Sequence, residues 1–131
     1  LYDTYAKVIN IEALTMIDMA SKDILPSVIK YTTELAASIN EVVSAGADAS
    51  VQKETLDEIT VYLKEAKTAL TTLKADQAEA EKGCVKCTAE FYRDVIKADM
   101  AALRTPVDIL ETLVDSEYWP MPTYGELLFE A

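Results

Sequence analysis

Residues 51–81 read VQKETLDEITVYLKEAKTALTTLKADQAEAE, a stretch with neither glycine nor proline. Leu56, Ile59, Leu63, Ala66, Leu70 and Leu73 alternate steps of three and four along it. That spacing places them on one stripe of an α-helix and repeats as a heptad seam, which favours left-handed, coiled-coil-like pairing. A helix of this length with one apolar stripe must bury it against other helices. The rest of the chain supplies them.

Upstream, Ile17, Ala20, Ile24, Val28, Tyr31, Leu35, Ile39 and Val42 recur at helical spacing, so a helix is expected over residues 2–43. Pro26 lies inside it. Its ring lacks a donor and clashes with the carbonyl four residues back, which predicts a kink or a break. Gly46 suits a left-handed C-terminal cap, and Asp48 or Ser50 can cap the next helix, expected over 51–81. Downstream, Lys82-Gly83-Cys84 reads as a stop. Tyr92, Ile96, Met100, Leu103, Val107, Leu110 and Val114 then define a helix over 86–115, bent at Pro106. Both connections are short, so neighbours should pack antiparallel. The expected fold is all-α: an up-down-up bundle of three long helices in a single domain, residues 1–131.

At 1.5 Å per residue the second and third helices reach about 45 Å and the first about 60 Å. The first should therefore overhang or fold back, leaving Val8, Ile9, Ile11, Leu14, Met16 and Ile17 wet unless a preceding domain or another subunit covers them. The first residue is Leu1 rather than Met, so the chain is expected to be a piece of a longer one.

Residues 116–131 change character. Pro120 and Pro122 push Trp119 and Met121 into extended geometry, and Thr123-x-x-Glu126 reads as a capping box opening a short terminal helical turn. Tyr118, Trp119, Tyr124, Leu127, Leu128 and Phe129 should either fold back onto the bundle or dock on another domain or protomer. No Lys or Arg follows Arg104, whereas Asp108, Glu111, Asp115, Glu117, Glu126 and Glu130 are all acidic.

With 23 acidic and 12 basic residues the formal charge is −11, a field that repels phosphate backbones and anionic membranes. Neither a nucleic-acid nor a membrane partner is expected, and two cysteines suit a reducing cytoplasm. The absence of histidine removes Ser-His-Asp and Cys-His catalysis and the Glu-x-x-His pairs of di-iron bundles. Three scattered glycines build no phosphate cradle. Cys84-x-x-Cys87 is the one conspicuous motif. A redox pair would need a strand–helix setting, and structural zinc would need two more ligands, so the favoured reading is two ordinary cysteines at a helix start. No catalytic, cofactor-binding or metal-binding residue is assigned.

Three stretches together resemble one family. They are Asn10-Ile-Glu-Ala-Leu-Thr-Met-Ile-Asp-Met-Ala20 running on to Asp23-Ile-Leu-Pro-Ser-Val-Ile-Lys-Tyr31; Phe91-Tyr-Arg-Asp94 with Met100-Ala-Ala-Leu-Arg-Thr-Pro-Val-Asp108; and Leu113-Val-Asp115 leading to Tyr118-Trp-Pro-Met-Pro-Thr-Tyr-Gly-Glu-Leu-Leu-Phe129. The chain resembles the C-terminal helical domain of a type III glutamine synthetase, with the Trp-Pro-x-Pro-Thr-Tyr-Gly ending as the most specific element. The resemblance implies a cytoplasmic, oligomeric parent that joins ammonia to glutamate using ATP and Mg²⁺. It implies that the partners here are the rest of the parent chain and neighbouring protomers of a homo-oligomer. Catalytic domains of that family precede this region, so no catalytic residue carries over. The alternative is a stand-alone acidic helical module that binds protein partners.

Overall fold

The computed structural model describes residues 2–82 and 89–121, with side chains from residue 4 onward. Cys84, Cys87, Pro122, the Thr123–Glu126 capping box, the terminal helical turn and Tyr124 to Phe129 lie outside the described residues. Within them the chain is helical and contains no strand. Helix α1 spans Tyr2–Met19, α2 Leu25–Ser44, α3 Ser50–Ala80 and α4 Lys97–Leu113. Two π-turns, Ala20–Ile24 and Tyr92–Ile96, sit directly ahead of α2 and α4.

Pro26 does not break the first segment. Leu25 donates its N–H to the Ala20 carbonyl, five residues back, so the ladder widens by one residue just before the proline. The donor that Pro26 lacks and the carbonyl it would strike are absorbed in that wider turn. Ala20, Ile24, Leu25 and Val28 are buried around it, and this packing holds the irregular turn in place.

Gly46 ends α2 at φ +86, the left-handed region that a Cβ disfavours. Its N–H reaches the Val43 carbonyl at 3.0 Å, and the Ala47 N–H reaches that of Val42 at 3.1 Å, the paired bonds of a Schellman cap. Asp48 then takes the Ser50 backbone N–H at 3.2 Å and the Ser50 hydroxyl on the same carboxylate oxygen, which starts α3. These bonds hold the Asp48 carboxyl below its usual range, the hydroxyl contributing first.

Along α3 the buried set is Ile59, Ala66, Leu70, Leu73, Gln77 and Ala80. The three-and-four alternation thus continues past Leu73, with a glutamine on the seam. Leu56 and Leu63 are only half-buried. α3 packs along α4 and α2, and α1 also reaches it. On α4, Met100, Leu103, Pro106 and Leu110 are buried, while Val107 is half-buried. Pro106 takes the inward place that the periodicity assigns to Val107.

The first helix is not the wholly wet overhang its length suggests. Ile9 and Ala13 are buried, and Met16 and Ile17 are half-buried against the core. Val8, Ile11 and Leu14 stay exposed. This stretch packs against α3 and the second π-turn, and a hydrogen bond from Gln77 on α3 to Asn10 adds to that contact.

After α4, the Tyr118 and Trp119 N–H groups both bond to the Asp115 carbonyl, at 2.9 and 3.2 Å. The turn lays Tyr118 against Tyr31, ring centroids 5.2 Å apart at 49°, and its hydroxyl donates to Glu34. Trp119 is buried, and Met121 packs on the same core.

Candidate functional site

Three places concentrate polar or unpartnered groups. The first is a buried knot between the helical segments. Gln77 is 7% exposed and donates from Nε2 to Asn10 Oδ1 at 2.9 Å and to Glu81 Oε1 at 2.6 Å. The Tyr92 hydroxyl donates to the same Asn10 oxygen at 2.9 Å. Asn10 therefore accepts from α3 and from the second π-turn, using both lone pairs of one carbonyl. Burial, then the nearby Glu81 charge, holds the Tyr92 hydroxyl above its usual range, so it stays a donor. The knot orders three segments and contains no nucleophile–base pair. Sequence reading missed it. Continuing the alternation Leu70, Leu73 to Gln77 and Ala80 would have flagged a polar residue on an apolar seam.

The second is a pair of acids on facing helices. Asp99 on α4 is pushed up to about 7, by burial first and then by hydrogen bonding to Asp76 and its charge. Two ionised carboxylates only accept, so the bond between them requires one shared proton. Without that proton Asp99 Oδ2 is buried and unpartnered. Asp99 also lines a shallow groove with Lys64, Glu65, Thr68 and Thr72.

The third is a groove between α1 and α4. α1 touches α4 only sparsely although both lean on α3, and the wedge between them is walled by Met16, Met19, Ile24, Met100, Leu103 and Val107. Glu12, Arg104 and Asp108 stand among its lining residues.

Among the described residues no group of three or more Asp, Glu, Cys or His is placed to hold a metal ion, and no helix is long and apolar enough to cross a membrane. Asp94 pairs with Arg93 at 2.8 Å and Asp18 with Lys22 at 2.8 Å; all four of these charges are well exposed. Such exposed pairs contribute little. Tyr31 and Tyr92 both pack on the core.

Comparison with known proteins gives a consistent result. The family described as "Glutamine synthetase C-terminal domain" matches residues 1–43. A glutamine synthetase of Butyrivibrio fibrisolvens is 34% identical over 98% of this chain and 19% of its own length. One from Bacteroides fragilis is 25% identical over 97% of this chain and 18% of its own length. The type-3 glutamine synthetase of Dictyostelium discoideum is 24% identical over 98% and 18% respectively. The chain spans about a fifth of the length of the curated relatives it matches.

Proposed function

We propose, because the chain belongs to the C-terminal helical domain of the type III glutamine synthetases, that it is a non-catalytic part supporting assembly or the catalytic core of a longer enzyme. The observation that carries this is the pairing of a match along almost the whole chain with coverage of only about a fifth of each relative. The parent would ligate ammonia to glutamate at the expense of ATP, with Mg²⁺, in the cytoplasm, as a homo-oligomer. ATP, metal and glutamate would be held by other domains, and the residues described here fit a structural part better than a chemical one. The buried polar contacts that join the segments are structural ones, chiefly the Asn10–Gln77–Tyr92 knot.

An up-down-up order of the three segments in one domain belongs to the same reading. Asn10 near the chain start meets Gln77 near the end of α3, and Tyr31 on α2 meets Tyr118 after α4. These contacts support a first and last segment running together with α3 opposed to both.

The experiment is removal of this region from a full-length relative. The truncated enzyme should lose its native assembly size or most of its glutamine formation, measured by light scattering and by product. Unchanged size and activity would refute the reading, as would glutamine formation by this chain alone.

A further inference from the structure

We propose that the groove between α1 and α4, together with the exposed stripe beside it, seats the polypeptide that precedes this domain in the same parent chain. The inference rests on the reading of the chain as a C-terminal domain. It adds a surface, a partner and a stoichiometry.

Val8, Ile11 and Leu14 are 48%, 65% and 43% exposed, and they fall three residues apart on α1. Among the described residues the remaining exposed large apolar side chains, Ile29, Val43, Val51 and Val61, are scattered over α2 and α3. Among the described residues they accumulate only on α1, and Ile11 opens directly into the groove. Clustered apolar surface of this kind marks an interaction site, whereas single exposed side chains do not. The groove wall carries Met16, Met19 and Met100, three of the four methionines in the chain. Unbranched thioethers adapt to an irregular partner surface.

Three observations select the occupant. The family is described as a C-terminal domain, and the relatives are about five times longer than this chain, so most of a parent precedes α1. The stripe begins at Val8, six residues after α1 starts at Tyr2, and the groove continues from Ile11 toward Ile24, so preceding chain that turns back along α1 meets the stripe first and then the groove. Glu12 and Asp108 against the single Arg104 give the lining a net negative charge, which suits a neutral or basic flank on the occupant.

The test uses the full-length enzyme carrying Ile11→Cys, with Leu14→Cys as a second variant and Val61→Cys on α3 as the exposed reference. Thiol labelling is followed peptide by peptide, which separates the new thiol from Cys84 and Cys87, in the assembled enzyme and in dissociated subunits. The expected result is labelling at positions 11 and 14 at least about tenfold slower than at 61 in both states. Protection in the assembly that vanishes in subunits would assign the surface to a neighbouring protomer and overturn the proposal. Labelling as fast as at 61 in both states would overturn it outright. Neither outcome bears on the truncation experiment, so the surface can fail while the domain's supporting role stands.

Discussion

Asp99 shows what a single proton can do between two helices. Its carboxyl titrates near 7 in the folded chain, against an ordinary 3.8. The folded state therefore holds the proton more tightly than the unfolded state. The pair's contribution is full below about pH 4 and is lost progressively as pH rises through 7. Asp99→Asn cannot ionise and should remove this slope. Comparing urea unfolding of wild type and D99N from pH 4 to 8, the variant should gain about 1–2 kcal/mol on wild type across that range, after allowance for the pair's partial exposure. Parallel curves would show that no proton is shared. Asn10 makes the second prediction at this scale. Asn10→Ala strands two buried donors, those of Gln77 and Tyr92, whereas Tyr92→Phe removes a donor and leaves Asn10 still bonded to Gln77. The first should cost about 2–4 kcal/mol and the second about 1 kcal/mol in denaturant unfolding. Equal costs would mean that the knot is not buried as described. The acid pair is not legible along the chain, and the knot only in part, through the place of Gln77 on the α3 seam. Asp76 and Asp99 are ordinary surface acids until α3 meets α4, and Gln77 reads as the end of an apolar stripe rather than its polar centre.

The elements themselves are mostly legible, because helices answer to local spacing. Leu70, Leu73, Ile96 and Leu110 are buried where their three-and-four steps put them, and Gly46 caps where its missing Cβ allows. Pro26 is the instructive case at this scale, since the distortion expected there takes the form of a widened turn and not of a break. Its effect depends on whether the neighbouring turn can widen, which is a matter of packing on both sides and not of local propensity. A π-turn holds one residue more than the α-turn it replaces. Deleting Ser21 from Ala20–Ile24 should therefore restore a plain α-helix while keeping Ile9 and Ala13 in phase with Val28 and Ile39. Deleting Glu34 from the middle of α2 should rotate everything beyond it by about 100°. By thermal melting, loss of Ser21 should lower Tm far less than loss of Glu34. Comparable losses would mean that the wide turn is not an inserted residue.

At the scale of the whole molecule the dominant fact is a formal charge of −11 on 131 residues. Among the described residues the ion pairs are few and exposed, so most of that charge is unopposed. Self-repulsion of this kind is screened by salt. Raising NaCl from about 10 to 150 mM should stabilise the chain by roughly 1 kcal/mol, or about 3–6 °C in Tm. A fall in Tm would place the stabilising electrostatics in the surface pairs instead. The all-helical class follows from apolar stripes at helical spacing, which can be read in sequence. The groove between α1 and α4 cannot, because it arises from two helices leaning on a third without closing on each other.

The buried turn after α4 has a practical consequence. Trp119 is the sole tryptophan and is 7% exposed, with no partner for its Nε1 among the described residues. An indole so enclosed fluoresces toward the blue, and it shifts to the red when water reaches it. The chain thus carries a built-in optical reporter at one end of the bundle. Its emission tracks whether the Asp115 turn stays closed, while far-ultraviolet dichroism tracks the helices, so the two events can be timed separately in a single sample.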